Sequence, residues 1–171
     1  MHKTLKTEKI SLQLIKFALA IGVAYGLVIL FQSVISERPG QAILDQGVQH
    51  IAVGAMHPEY NSNPPTSGWH YSTPAEWGMY EIELPDEQVL HNLEHGGIWI
   101  SYKEIDAGTR SEFEKIARAN PKVIITPRQA NDAPIALASW NRLQNLEQFD
   151  GEIIMNFIRL NKNKSPEPFA D

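Results

Sequence analysis

The chain has 171 residues, 43% of them hydrophobic, with a formal net charge of −5 and no cysteine. Without thiols it forms no disulfide and offers no thiolate to a metal, so any metal ligand has to be histidine, carboxylate or methionine. The acidic balance lacks the basic patches that bind phosphate backbones, and no nucleic-acid partner is expected.

Residues 1–16 hold Lys3, Lys6, Lys9 and Lys16 against Glu8, and residues 17–36 hold no charge at all. As a helix that uncharged stretch reaches about 30 Å, the thickness of a bilayer's hydrocarbon core. The lysine excess keeps the basic N-terminus, 1–16, in the cytoplasm and sends the rest across. A secretory signal has an apolar core of only about 7–15 residues and a small-x-small cleavage site; residues 17–36 run longer and 32–36 lack that pattern. The expectation is a retained transmembrane signal-anchor over 17–36 and a linker over 37–42, which Pro39 and Gly40 separate from the helix. An extracytoplasmic domain over 43–164 and a polar tail over 165–171 complete the chain. It is then a single-pass inner-membrane protein, N-terminus in, domain on the periplasmic or extracellular side.

Residues 46–53 alternate as a weak strand that contains His50, and a lone strand histidine is more often hydrogen-bonded than a ligand. From Met56 to Trp77 periodicity is absent, and turn formers interleave with aromatics. A loop this long inside a small domain is disordered or functional, and Tyr60, Trp69 and Tyr71 favour one that packs. Pro64 and Pro65 stiffen it, and Ser67-Gly68 permits a reversal just before His70. Residues 77–84 alternate as a half-buried strand, and Asp86 is placed to cap a short helix that Gly96 ends.

That helix carries His91, Glu94 and His95. Residues one turn apart have Cβ atoms about 6 Å from each other, near enough for two imidazoles to share an ion. Ile98 to Tyr102 is an apolar strand, Thr109 with Glu112 reads as a capping box for a helix that stops at Asn120-Pro121, and 123–126 and 135–140 are further strands. Asp150 caps a last helix with Ile153, Ile154, Phe157 and Ile158 on one face. The fold class is α+β, a single small ectodomain with a mixed sheet of about five strands and two to three helices, preceded by one transmembrane helix.

Zinc and copper take imidazole nitrogen at about 2.0–2.1 Å and use three or four protein ligands. His70, His91 and His95 are the first candidates, His57 the fourth and His50 a reserve. Glu94 could itself ligate or, equally, hold an imidazole N–H from behind, and Glu87 is the other residue placed for that supporting role. Met56 and Met79 are possible thioether ligands for Cu(I), though methionine more often fills core gaps. His-x-x-Glu-His over 91–95 also has the form of the inverted zincin motif, in which Glu94 would be the general base of a zinc hydrolase. The bland alternative is a structural interaction domain whose histidines only hydrogen-bond. Ser67 near His70 lacks a nucleophile elbow, and Thr66-Ser67-Gly68 lacks the lysine of a phosphate loop.

Pro64-Pro65-Thr66-Ser67-Gly68 leading to His70, then Gly78 and Tyr80, His91-Asn92-Leu93-Glu94-His95-Gly96, Tyr102 and Ala138-Ser139-Trp140 resemble the bacterial domain-of-unknown-function family 3105 across nearly the whole ectodomain. The resemblance implies one N-terminal membrane segment and an exported domain. It also implies that His50, His70, His91, Glu94 and His95 belong to the family's pattern, whereas His57, Met56 and Met79 do not. It supplies no activity. From the residues, the leading expectation is a membrane-anchored extracytoplasmic protein that binds copper or zinc for metal handling or for assembly of a membrane protein partner.

Overall fold

The computed structural model describes residues 38–170 together with residues 19, 21–23 and 25, which are helical and exposed. The expected basic N-terminus and nearly all of the expected membrane helix lie outside the described residues. Among the described residues no helix is long and apolar enough to cross a membrane. The chain divides into two units, Met1–Glu37 and Arg38–Asp171, and the second contains every strand found among the described residues.

Its elements are β1 (Gln41–Ala42), β2 (His50–Ile51), β3 (His70–Tyr71), β4 (Gly78–Met79), α1 (Asp86–Glu94), β5 (Ile98–Tyr102), α2 (Ala107–Ala119), β6 (Val123–Pro127), β7 (Ile135–Ser139), β8 (Arg142–Leu146) and α3 (Gly151–Asn161). Six strands form one mixed sheet in the order β1-β8-β7-β5-β6-β4, and β2 with β3 forms a separate parallel ribbon. The α+β class with a mixed sheet agrees with expectation. Of the five expected strands, the one at 46–53 goes to the ribbon, and the sheet gains two that were not expected, β1 and β8; β8 carries no strand signature. Its sequence, Arg-Leu-Gln-Asn-Leu, is a polar, half-exposed strand held by the hairpin partner β7 rather than by its own apolar content. Asn141 turns that hairpin at φ 58°, a conformation asparagine tolerates.

β5, β6 and β7 are buried on both faces, so they read as continuous apolar runs rather than as alternation. Ile98, Ile100, Tyr102, Val123 and Ile125 point to one face and meet Phe113 of α2 and Ile154, Phe157 and Ile158 of α3. Ile153, expected on the same apolar face, is 37% exposed. Trp99, Ile124 and Ala138 point to the other face, where Val89, Leu90 and Leu93 of α1 cover them. The sheet is thus sandwiched between two unlike layers.

Three caps differ from or refine the sequence-based picture. Asp86 is the first helical residue of α1, with Pro85 before it, and its carboxylate takes a two-pronged bond from Arg128 (2.8 and 2.7 Å) instead of capping the helix. Helix α2 starts before Thr109: Asp106 accepts from the Thr109 amide at 2.9 Å. Asp150 caps α3 as expected, accepting from the Ile153 amide at 3.0 Å. The expected strands at 46–53 and 77–84 shrink to two residues each, His50–Ile51 and Gly78–Met79, with single backbone bonds at Gly47, Gln49 and Tyr80 beside them.

The domain's ends are wider than read from sequence. Arg38 donates to Asn161 Oδ1 (2.9 Å) and to the Trp140 carbonyl (3.0 Å), and β1 pairs with β8, so 38–42 are part of the domain rather than a linker. The tail folds back: the Glu167 amide donates to the Glu94 carbonyl at 3.1 Å, and the Asn163 amide donates to the Gly96 carbonyl at 2.9 Å.

Helix α1 ends in a Schellman motif. The amides of Gly96 and Gly97 donate to the carbonyls of Leu93 (3.0 Å) and Asn92 (2.8 Å), with Gly96 at φ 84°. A Cβ on Gly97 would stand 2.6 Å from the Asn92 carbonyl oxygen and 2.6 Å from the Trp77 ring. Gly97→Ala should therefore destabilise the domain by about 1–3 kcal/mol in urea unfolding, as overpacking does. Gly151→Ala, whose Cβ would meet only Phe149 at 3.7 Å, should be neutral or slightly stabilising.

Candidate metal centre

Helix α1 is buried nearly all round: besides Val89, Leu90 and Leu93, the polar His91, Asn92, Glu94 and His95 are each 8% exposed or less. A short amphipathic helix normally turns its polar face to water. Here the Met56 to Trp77 loop covers that face. Asn92 clamps the loop by accepting from the Ala75 amide (2.9 Å) and donating to the Ala75 carbonyl (2.8 Å). Further along, Tyr60 donates to the Trp69 carbonyl at 2.6 Å, the Gly68 amide to Gly47 at 2.9 Å and the His70 amide to Gln49 at 3.0 Å. The last two bonds register β2 against β3 so that His50 lies opposite His70.

Three imidazoles and a carboxylate meet under that loop. His50, His70, His91 and Glu94 each present one ligand atom, and these atoms all lie within 4.8 Å of one another. A tetrahedral ion with ligands at about 2.0–2.1 Å would separate them by about 3.4 Å, so the widest pair would close by at most about 1.4 Å. The rings of His50 and His70 are 4.7 Å apart between centroids, those of His70 and His91 5.3 Å, and those of His50 and His91 stack at 4.9 Å. Glu94 Oε2 is 3.0 Å from His70 Nε2 and 3.3 Å from His50 Nε2.

Backbone carbonyls choose which nitrogen faces inward. His70 Nδ1 lies 2.7 Å from the Gly68 carbonyl and His91 Nδ1 lies 2.6 Å from that of Tyr71. A carbonyl only accepts, so both Nδ1 atoms carry hydrogen and both rings turn Nε2 inward. His70 Nε2 faces a carboxylate oxygen at 3.0 Å, and His91 Nε2 faces His95 Nε2 at 3.0 Å. Electron-rich atoms gathered this closely need positive charge between them, supplied by protons or by a metal ion. The Nδ1–H to carbonyl bond is also the device that fixes the tautomer of metal-binding histidines.

The structure separates the candidates drawn from sequence. His70, His91 and His50 converge, with His50 a full member of the group. His95 sits beside His91, its ring 4.5 Å away, but belongs to a second group with Glu94 and Glu167. Glu94 offers a ligand oxygen directly, one of the two roles expected of it. His57 stands apart, 2.7 Å from the Pro58 carbonyl and 3.4 Å from Glu87, so Glu87 supports His57 rather than His91. Met56 is 98% exposed and Met79 packs against the core on the opposite face of the sheet. Sequence reasoning missed Glu167 altogether. Its only local signal is the flanking Pro166 and Pro168, which stiffen an otherwise polar tail.

A mixed sheet with a buried cluster of imidazoles and one carboxylate on its covered face defines a domain able to hold a metal ion. The chain belongs to the family described as "Protein of unknown function (DUF3105)", whose model matches residues 55–171. His50 lies just before the matched span. No curated protein and no solved structure matches the chain.

Burial depresses the His91 pKa below its ordinary value, and the His95 and His70 rings push the same way, while the bond to Tyr71 and the Glu94 carboxylate push back. A histidine whose folded pKa is lowered contributes stability that is present above its unfolded value of about 6.5 and lost as pH falls through the folded value. Urea midpoints of the metal-free protein should therefore fall between about pH 7 and pH 5, and the fall should be smaller in His91→Gln. Identical pH slopes in both proteins would contradict this assignment.

Proposed function

We propose that the chain is a membrane-anchored extracytoplasmic protein that binds a transition-metal ion, zinc or copper, through His50, His70, His91 and Glu94, in the service of metal handling or of assembling a membrane partner. The observation that carries this reading is the gathering of three imidazole nitrogens around a carboxylate only 2% exposed. A buried anion costs several kcal/mol unless countercharge reaches it, and a divalent cation at this point supplies that charge while using every inward nitrogen. The donor set, three imidazoles and one oxygen without a thioether, suits Zn(II) or Cu(II) better than Cu(I). Three of the four donors are buried and His50 is 44% exposed, so His50 marks the side from which an ion enters.

The hydrolase alternative asks Glu94 to face a metal-bound water as a base. Its carboxylate is instead within 3.0 and 3.3 Å of two imidazole nitrogens, the place of a ligand. The anchor and the extracytoplasmic location rest on the uncharged stretch 17–36 and the lysines before it.

Purified full-length protein should gain stability with Zn(II) or Cu(II), by about 2.7 kcal/mol at free metal a hundredfold above Kd. His70→Ala and His91→Ala should abolish the gain and His57→Ala should leave it intact. A melting temperature indifferent to both ions would overturn the proposal. Because the inward hydrogens must leave for the ion to enter, calorimetry in buffers of different ionisation enthalpy should register at least one proton released per ion, and affinity should rise with pH. Membrane pelleting that resists alkaline carbonate, with a reporter fused after Asp171 active only outside the cytoplasm, is the outcome expected for the anchor.

A further inference from the structure

The cluster does not end at the four residues above. Glu94, His95 and Glu167 also present ligand atoms that lie within 4.8 Å of one another, and Glu94 is common to both groups. His95 is 8% exposed and its Nδ1 is buried with no hydrogen-bond partner. Its Nε2 lies 3.0 Å from His91 Nε2 on one side and 3.8 Å from Glu167 Oε2 on the other.

Glu167 is held in place although its side chain is 57% exposed. Its amide is bonded to the Glu94 carbonyl at 3.1 Å. Lys122, at φ 64°, sends its ammonium to three carbonyls, those of His95 (3.0 Å), Pro168 (2.9 Å) and Ala170 (3.2 Å). One lysine thus ties the end of α1 to the tail beside Glu167, an outlay of fixed structure that a free tail would not need.

We propose that the domain holds two divalent transition-metal ions, the second bound by Glu94, His95 and Glu167, with the Glu94 carboxylate bridging the pair. The inference rests on the metal-binding reading of the first group and extends it to residues that reading does not use. A carboxylate has two oxygens and about four lone-pair sites, enough for one oxygen per ion, and carboxylate-bridged ions stand about 3.5–4 Å apart. The second ion has three protein ligands, one of them exposed, so it keeps an open position for water or an exogenous donor and binds more weakly than the first.

The test is metal stoichiometry of the full chain, by elemental analysis after dialysis and by calorimetric titration with Zn(II). Wild type should take two equivalents in two steps. Glu167→Gln, an exposed and sterically conservative change, should take one, with the tighter step preserved; His95→Gln should do the same. His70→Ala should remove the tighter step. Cu(II)-loaded wild type should give a half-field resonance from the coupled pair, absent in Glu167→Gln. One equivalent in wild type, unchanged by Glu167→Gln, overturns the second site and leaves the first standing; no equivalents in wild type overturns both.

Discussion

A carboxylate buried among imidazoles organises this domain. Glu94 is 2% exposed, and its Oε2 lies against ring nitrogens of His50 and His70. Such a group is expensive in isolation, since a charge removed from water must be matched by opposite charge or by donors. The fold concentrates its least regular features on supplying that match: the long loop, the two-residue ribbon of β2 and β3, the glycine-ended helix and the returning tail all converge there. Elsewhere the architecture is ordinary, three apolar strands covered on both faces.

The arrangement has two self-consistent fillings. With protons alone, hydrogens on the Nε2 atoms of His50 and His70 would point at Glu94, and one on His95 would point at His91. With metal, those hydrogens leave and the same nitrogens turn their lone pairs to an ion. The Nδ1 bonds to Gly68 and Tyr71 persist in both, so the rings need no reorientation between them. That preorganisation distinguishes the cluster from histidines gathered by chance on a surface, and it is the second reason, after burial, for proposing a metal ion there.

Legibility from sequence follows the range of the forces involved. Helix α1, its glycine stop and the His91/Glu94/His95 spacing are local, and they are visible; so are the apolar strands β5, β6 and β7. What stays hidden depends on distant pairing. β8 has no apolar signature of its own, and His50 is placed opposite His70 by a parallel ribbon of two residues per strand, too short for any periodicity. The position of His57 is illegible for a similar reason: it lies in the same loop as His70, but the backbone bond to Pro58 turns its ring towards Glu87. Asp86 offers a capping residue in sequence, and Arg128, 42 positions away, claims its carboxylate. Glu167 belongs to a stretch that reads as solvent-exposed tail until Lys122 is seen to fasten it.

The central claim is that the inward Nε2 atoms of His50, His70 and His91 together hold a cation against Glu94. Long-range 15N–1H spectra of the histidine rings, recorded before and after addition of Zn(II), address it most directly. The account predicts that the Nε2 resonances of these three rings move together on saturation, that Nδ1 of His70 and His91 stays protonated throughout, and that the His57 ring is unmoved. Rings that keep their metal-free shifts, or a His70 protonated only at Nε2, would contradict it.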